Sequence, residues 1–392
     1  MSEGRPLQGY RMLDLSRYLP GPYCSMILAD LGMEVLKVEE PKKGDPARAV
    51  GPRRKEDSVY FLAVNRNKRS IGINLSTAEG KEIFQRLCST CDIVLENFKP
   101  GTMDRLGLGY NILSKVNPSL IYCSISGYGQ KGLNSEKPGH DINYIASSGL
   151  LGLTRHEDGM PVIPEILTAD LTGGLFASIG ILTALIDRKT TGKGRYIDIS
   201  MTDGIVSLLC YHIAGLGVKQ KMPDSRETEF NGSLPFYNVY ETSDGKHMAF
   251  GAVENSFWKI FCNTIGHPEL VDKQWATGPE RKQVIAELKA IFKTKTESEW
   301  KECFEGKEVC CDPVREIEHL FSDEQVIERR MIVAIDHPVE GSLRQSGNPV
   351  KLSKADEIYE PPPLLGEHTE EVLRNLGYKT AELSLLKEKG VI

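Results

Sequence analysis

The sequence predicts an α/β fold with two parts: a large domain built on a Rossmann-like parallel β-sheet, and a smaller α+β domain. Strand-like and helix-like segments alternate up to about residue 130, as in parallel sheets with helices on both faces. The chain has 392 residues, a length that favours two domains over one. Residues 257–330 differ from the first part, because they are mostly helical, charged and amphipathic.

Each element of the sheet is predicted from its own pattern. Short apolar runs between turn residues predict buried strands, and apolar residues spaced by three and four predict helices. The predicted elements are, in order, a strand at 10–16, a helix at 21–32, strands at 34–41 and 69–75, a helix at 77–90, a strand at 92–98, one or two helices within 101–116 and a strand at 120–129. No G-x-G-x-x-G motif opens a helix, so dinucleotide binding has no support.

The rest of the chain defines the second domain and a return to the first. Residues 173–188 are apolar and rich in small residues, and they predict a buried helix that is too short to span a membrane. A turn, a strand and a helix follow at 191–209, and residues 238–253 predict a β-hairpin with Asp244-Gly245 at its turn. We therefore expect a large domain at 1–224, completed by a C-terminal return at 331–392, and a small domain at 225–330.

Composition excludes several classes of protein. Apolar content of 40%, charged content of 26% and a net charge of -6 are ordinary for a soluble protein and give no basic footprint for nucleic acid. The first residues lack the layout of a signal peptide, and no membrane span is expected. The nine cysteines are odd in number and irregularly spaced, which favours free thiols over disulfides. We expect a cytoplasmic protein.

Three short segments contain isolated ionisable groups. "GHDINY" at 139–144 contains His140 and Asp141, "TADLTGG" contains Asp170, and "GAVENSFW" places Glu254 after an apolar run. Simple structural roles are available for each. Asp170 before a helix is most simply an N-cap, which would lower its pKa. His140 with Asp141 could be a capping pair, and Glu254 could be a solvent-exposed charge at the end of a strand.

Six blocks along the chain carry a family resemblance. They are "LPGPYCSMILADLGMEVLKVEEP", "VNRNKRSIGINL", "ENFKPGTMDRLGLGY", "SISGYGQ", "TGKGRYIDISM" and "PPPLLGEHTEEVL". In this order they resemble the class III CoA-transferase family (CaiB/BaiF type), which includes the α-methylacyl-CoA racemases. The resemblance implies an acyl-CoA substrate, an interlocked homodimer, an active site between domains and no metal.

The resemblance also implies roles for the three ionisable groups. In the transferases, an aspartate at the position of Asp170 attacks the thioester and becomes a transient acyl anhydride. In the racemases, the same aspartate exchanges a proton with the substrate together with a histidine of a "GHD" segment. A glutamate after the hairpin supports the pair. His140, Asp170 and Glu254 match all three racemase positions, so the resemblance is closest to that branch.

Racemisation next to a thioester sets clear physical demands. A proton must leave one face of C2 and return to the other, so two acid/base groups are needed. Aspartate serves as an acid near neutral pH only if burial or a neighbouring carboxylate, here Glu254, raises its pKa. The enolate oxygen needs fixed N–H donors. We expect them from the helix that begins at "ADLTGG", where Gly173 and Gly174 would allow close approach.

The matched blocks also imply which residues line the CoA groove. They are Ile73, Asn74, Leu75, Ser76, Asn97, Phe98 and Arg105, with Gly139, Asp141, Ile142, Asn143 and Tyr144 covering the thioester. One position departs from the family, since Glu40 stands where many relatives have an arginine that holds the nucleotide. Lys42, Lys43 and Arg48 are nearby cations that could replace it.

Three functions remain open at this stage. The leading one is racemisation of 2-methylacyl-CoA, with coenzyme A present only as part of the substrate and no other cofactor. The alternative is transfer of CoA between carboxylic acids, with Asp170 as the nucleophile. A non-catalytic CoA-binding scaffold is the third, and three matched ionisable residues argue against it. The sequence does not specify the acyl group.

Overall fold

The chain divides into two units. A computed structural model describes residues 4–156, 158–219 and 230–392. The first unit comprises Met1–Leu150, Ile163–Cys210 and Glu324–Ile392, and the second comprises Leu151–Val162 and Tyr211–Asp323. The predicted boundary between 224 and 225 lies outside the described residues.

A six-stranded parallel sheet forms the centre of the first unit and confirms the predicted α/β class. Its strands are β1 (Arg11–Asp14), β2 (Glu34–Glu39), β3 (Lys68–Gly72), β4 (Ile93–Glu96), β5 (Ile121–Ser126) and β6 (Tyr196–Ser200). All residues of β4 and β5 are buried, because both faces of the sheet are covered. The strand order is β3-β2-β1-β4-β5-β6, so the direction of winding reverses between β1 and β4. Ligands of such sheets bind beyond the carboxyl ends of the strands at this reversal.

Eight helices belong to the part of the first unit that precedes Cys210. They are α1 (Pro20–Asp30), α2 (Val59–Ala63), α3 (Ala78–Cys88), α4 (Thr102–Leu106), α5 (Tyr110–Val116), α6 (Asp141–Ser147), α7 (Thr168–Thr191) and α8 (Met201–Leu208). α7 packs against α1, α6, α8, β5 and β6. It therefore connects three helices with the β5–β6 edge of the sheet.

The length of α7 corrects one expectation. The helix has 24 residues, and among the described residues it is the single helix that is long and apolar enough to cross a membrane. The helix pair that begins with α8 would pass the same test as one bent span. Half of the apolar window of α7 is buried against its neighbours, as in the core helix of a soluble protein. The sequence prediction limited the apolar run to residues 173–188 and for that reason gave it a length too short for a membrane span.

The second unit is built around a cluster of aromatic side chains. Its elements are α9 (Cys210–Lys219), β7 (Tyr237–Glu241), β8 (His247–Gly251), α10 (Asn255–Thr264), α11 (Gly278–Phe292), α12 (Glu297–Phe304) and β9 (Cys311–Pro313). The β7–β8 hairpin is where the sequence predicts it, and β9 adds an unpredicted third strand. Trp258, Phe261, Phe292 and Trp300 are all fully buried in its core.

The C-terminal segment completes the first unit. It contains α13 (Glu324–Glu328), a hairpin of β10 (Ile332–His337) and β11 (Gly341–Ser346), α14 (Thr369–Asn375) and α15 (Thr380–Glu388). Val372, Leu373, Leu383 and Leu386 lie in the same core cluster as the central strands. The β10–β11 hairpin was not predicted.

Small residues allow α7 to lie close to its neighbours. A Cβ atom on Gly174 would come within 2.6 Å of the Pro20 carbonyl oxygen in α1, and one on Gly173 within 2.7 Å of the Met201 side chain in α8. Backbone cannot yield to such a contact as a flexible side chain can. Gly174 is thus required for the packing of α7 against α1, whereas a Cβ on Gly173 would meet a flexible side chain.

We expect Gly174→Ala to destabilise the protein by about 1–3 kcal/mol, because overpacking at a backbone contact forces helices apart. The urea midpoint, followed by circular dichroism, measures the change. Thr183→Ala is the control, since Thr183 is on the exposed face of the same helix. Equal midpoints for the two variants would contradict the requirement for glycine.

Candidate active site

Asp170 lies inside the first turn of α7 and is not its N-cap. The N-cap residue is Leu167, which has no side-chain acceptor. The backbone N–H groups of Ala169 and Asp170 both donate to Asp141 Oδ1, at 2.6 and 3.1 Å. The cap of α7 is therefore supplied by α6, and the simple N-cap interpretation of Asp170 is wrong.

His140 and Asn143 close the start of α6. His140 is the N-cap residue, and its backbone N–H donates to Asn143 Oδ1 at 3.0 Å. The Asn143 N–H donates back to the His140 carbonyl at 2.8 Å. Asn143 thus has a structural role, and the His140 imidazole is exposed at the start of the helix. Ile142, in the first turn, is also exposed.

Tyr144 forms a buried support below these groups. Its hydroxyl donates to the Gly139 carbonyl, and its ring packs edge-on against Tyr128 with centroids 5.3 Å apart. A Cβ on Gly127 would lie 2.3 Å from the Tyr144 ring, so only glycine fits there. The family-like "SGYG" segment therefore packs directly against "GHDINY".

The two carboxylates of the site differ in their electrostatic surroundings. Burial raises the pKa of Asp170 to about 7, and the Asp141 charge adds to the increase. Burial also raises the pKa of Asp141, but the two N–H donors of α7 oppose that increase. Burial and the charge of Asp170 raise the pKa of Tyr144 to about 12. Asp141 is thus the carboxylate that ionises first, and Asp170 retains its proton towards neutral pH.

The predicted donors for an enolate oxygen are not available where the sequence placed them. The N–H groups of Ala169 and Asp170, which open that segment, already bond Asp141. Gly173 and Gly174 are buried within the helix, against α8 and α1, and so serve packing. The expectation of an oxyanion site at "ADLTGG" is therefore wrong.

Asn97 and Phe98 lie at the reversal between β1 and β4, where a ligand is expected. Asn97 Oδ1 accepts the Arg17 N–H at 2.8 Å, and Asn97 Nδ2 donates to the Arg17 carbonyl at 2.9 Å. The Arg17 guanidinium lies 4.8 Å from the centroid of the Phe98 ring. Arg17 was missed by the sequence analysis, although its place directly after the first strand was a usable signal.

Glu96 is a second missed residue next to this crevice. It ends β4 and accepts the Phe98 N–H at 2.7 Å. Burial raises the pKa of Glu96 to about 7. This carboxyl holds the backbone of a predicted CoA-binding residue.

A buried ion pair holds the loop after β1. Lys37 Nζ lies 2.8 Å from Asp45 and donates to the Ser16 carbonyl at 2.8 Å. Asp45 Oδ1 in turn accepts the Tyr18 N–H at 3.1 Å. Burial acts to lower the pKa of Lys37, but the charges of Asp45 and Asp14 outweigh it and raise the pKa. Lys37 is therefore a fixed cation behind the loop that carries Arg17.

The other predicted CoA-binding residues are distributed between core and surface. Ile73 is 2% exposed and belongs to the core, with Leu75 packed against the same cluster. Asn74 Oδ1 accepts the Ser76 N–H at 3.1 Å and so forms a turn that leaves Ser76 exposed. Arg105 is exposed on α4 and donates to Thr102 at 2.9 Å. Only some of the predicted groove is thus accessible through side chains.

Arg48 cannot replace the arginine that is absent at position 40. Its guanidinium is buried, 2.8 Å from Glu39 and 2.7 Å from Asp57, and lies over the Phe61 ring. Glu40 closes a turn by accepting the N–H groups of Lys42 and Lys43. The two lysines are exposed, so they remain the nearby cations available to a phosphate.

Glu254 belongs to the second unit, where it is the exposed N-cap residue of α10. Its carbonyl accepts the Trp258 N–H at 3.1 Å. The charge that raises the pKa of Asp170 comes from Asp141. A role for Glu254 beside Asp170 stays a prediction.

Comparisons with known proteins place this site in a family context. The model of CoA-transferase family III matches residues 7–369. Succinyl-CoA:glutarate CoA-transferase of Mus musculus is 38% identical, with 99% of this chain and 90% of that protein covered. Alpha-methylacyl-CoA racemase of Homo sapiens is 34% identical, with 98% and 97% covered. A CaiB/BaiF family protein from Brucella suis has a crystal structure with a TM-score of 0.82 at 32% identity, covering 95% of this chain and 99% of that one. These similarities confirm the resemblance seen in the sequence.

The raised pKa of Asp170 predicts a cost in stability. The folded state retains the proton between the unfolded pKa near 3.8 and the folded value of about 7, so ionisation destabilises the fold as pH rises through that window. Asp170→Asn should therefore stabilise the protein at about pH 8 by on the order of 2 kcal/mol, and much less at about pH 4.5.

Thermal unfolding across this pH range measures the effect. Asp203→Asn is the matched control, because Asp203 is an exposed aspartate in the first turn of α8. A gain that is the same at both pH values, or that Asp203→Asn reproduces, would contradict the prediction.

Proposed function

The chain belongs to CoA-transferase family III, and from this membership we propose that it racemises 2-methylacyl-CoA thioesters by proton transfer at C2. The observation that carries the proposal is the burial of the Asp170 carboxyl, which raises its pKa. With a pKa of about 7, its carboxyl is present in both forms at neutral pH. Such a group can give a proton in one direction and accept it in the other.

His140 is the proposed second proton carrier. Asp141, its neighbour in the chain, bonds the first turn of α7, so the start of α6 is tied to the turn that contains Asp170. Imidazole exchanges protons readily near neutral pH. One group removes the C2 proton to give an enolate, and the other returns a proton to the opposite face. Glu254 is proposed to support this pair from the second unit.

The substrate is proposed to bind through its CoA portion at the crevice between β1 and β4. Asn97, Phe98 and Arg17 are bonded or packed together there. Arg17 supplies a guanidinium suited to phosphate, and Phe98 an aromatic face. Coenzyme A enters only as part of the substrate, and we propose no metal, no further cofactor and a cytoplasmic location.

CoA transfer is the second candidate, and the similarity to succinyl-CoA:glutarate CoA-transferase favours it. In this reaction the ionised Asp170 carboxylate attacks the thioester carbonyl, forms an acyl anhydride and releases the CoA thiolate. The thiolate then attacks the aspartyl carbonyl and releases the acyl group as a carboxylate, which leaves an aspartyl-CoA thioester. The acceptor carboxylate attacks that thioester to form a second anhydride and releases the CoA thiolate. The thiolate attacks the acceptor's acyl carbonyl, which yields the new acyl-CoA and regenerates the Asp170 carboxylate. A raised pKa lowers the fraction of Asp170 that is ionised at neutral pH, so the electrostatics of this carboxyl favour the candidate less.

Exchange of the C2 proton with solvent tests the racemase proposal. We expect the protein to introduce deuterium at C2 of 2-methylacyl-CoA in deuterated water, detected by mass spectrometry. His140→Ala and Asp170→Ala should each reduce exchange by at least about 100-fold, the usual loss for a general acid or base. His319→Ala is the control, since His319 is an exposed histidine of the second unit.

If the protein is a transferase, the His140→Ala and Asp170→Ala variants should differ in activity. Full activity of His140→Ala with loss in Asp170→Ala would exclude the two-base mechanism. Glutaryl-CoA formed from succinyl-CoA and glutarate, together with an adduct on the peptide that contains Asp170, would then identify the transferase.

A homodimer is part of the proposal. Leu175, Ile179 and Ile186 are 46%, 57% and 69% exposed along the outer face of α7. Such a stripe on a core helix needs an apolar cover. The family resemblance supplies a second copy of the chain as that cover.

We expect light scattering to give a dimer with an interface beyond about 2,000 Å². Ile179→Glu should shift the population towards monomer, because it would place a charge in the interface. Leu385→Glu, on the exposed face of α15, is the control. A folded wild-type monomer at micromolar concentration would contradict the dimer.

A further inference from the structure

We propose that Asp141 is a positioning residue for Asp170: it caps α7 from the neighbouring helix, and its negative charge holds a proton on the Asp170 carboxyl. This inference deepens the proposed function, and its kinetic part rests on that function. Its structural part concerns only two carboxyl groups and one helix.

The capping half follows from the hydrogen bonds. The first turn of a helix leaves N–H groups without intrahelical partners. Leu167 offers no side-chain acceptor, and the Thr168 hydroxyl donates to the Ile166 carbonyl instead. Asp141 is 5% exposed and accepts two of these N–H groups through one oxygen atom. A residue 28 positions earlier in the chain thus completes the helix.

The charge half follows from competition for the helix terminus. The positive end of a helix stabilises an anion in its first turn, which by itself would favour ionised Asp170. Asp141 already occupies that end with its own carboxylate. Two like charges in a partly dry site cannot both ionise cheaply, so the carboxyl with fewer donors keeps its proton. That carboxyl is Asp170.

Other titratable groups do not provide this charge. The elements that pack against α7 carry the following ones: Tyr23, Cys24 and Asp30 on α1, Asp141 and Tyr144 on α6 with His140 at its start, Tyr122 and Cys123 on β5, Tyr196 and Asp198 on β6, and Asp203 on α8. Within the described part of the chain, Asp141 is the one whose charge shifts the pKa of Asp170. The proton on Asp170 therefore depends on burial and on this neighbour.

Two substitutions of Asp141 distinguish its capping role from its charge role. Asp141→Asn keeps an Oδ1 acceptor for the helix but removes the charge. Asp141→Ala removes both. If Asp141 caps α7, Asp141→Ala should unfold at a lower temperature than Asp141→Asn, by several degrees. Equal unfolding temperatures would overturn the capping role.

The charge is tested without any turnover by a double-mutant cycle. Asp170→Asn is made in the wild-type and Asp141→Asn backgrounds, and the gain in unfolding temperature is followed from about pH 4.5 to about pH 8.5. We expect the midpoint of that gain to fall by about 1 pH unit in the Asp141→Asn background, because the like charge is gone while burial remains. Asp203→Asn as the background is the control for loss of one negative charge, and it should leave the midpoint in place. The same midpoint in the wild-type and Asp141→Asn backgrounds would overturn the charge role.

The pH dependence of C2 exchange tests whether the Asp141 charge affects the reaction. In Asp141→Asn, the limb of the pH–rate profile of C2 exchange that reports Asp170 should move to lower pH by about 1 unit. A shifted stability midpoint without C2 exchange in any variant would leave Asp141 confirmed and refute the racemase. C2 exchange together with unshifted stability and rate profiles would support the racemase and refute the charge role of Asp141.

Discussion

Two carboxylates share the N-terminus of one long helix, and much of the first unit is arranged around that constraint. Asp141 takes the two N–H groups, and Asp170, in the same turn, is left with a raised pKa. The arrangement requires α6 and α7 to meet at a fixed angle and distance. Tyr144 contributes by packing "GHDINY" onto the end of β5, and Gly127 by leaving room for its ring. A carboxyl with a raised pKa is thus produced by local geometry.

The crevice between β1 and β4 is a second place where buried charged groups fix the surrounding structure. There, buried charges hold backbone: Lys37 with Asp45 supports the loop that carries Arg17, and Glu96 holds the Phe98 N–H. A buried ion pair of this kind adds little to net stability, but the loss of one partner is costly. Its value lies in holding the loop that carries Arg17 in one conformation.

The sequence predicts the architecture well and the electrostatics of the site poorly. Apolar runs and helical spacing located all six strands of the sheet, since each run reflects burial of its own residues. Asn97 and Phe98 were predicted from the blocks that resemble the family, and His140 and Asp170 from short segments that match it. The bond between Asp141 and α7 joins residues 28 positions apart, so no local pattern contains it. For the same reason Arg48 seemed free for a phosphate, although its partners Glu39 and Asp57 bury it. The strands β9, β10 and β11 were missed because polar residues interrupt their apolar patterns.

The discontinuity of the first unit has a consequence for synthesis on the ribosome. Its hydrophobic core includes Val372, Leu383 and Val391 together with the central strands, and the Asn74 N–H bonds the Val391 carbonyl. Strands made early must therefore wait for side chains made much later, while the core of the second unit is drawn from 234–311 and can close sooner. During that interval the early strands expose apolar surface, which is the state that chaperones recognise. Contacts of such long sequence separation also slow folding, because the loop must close before they form.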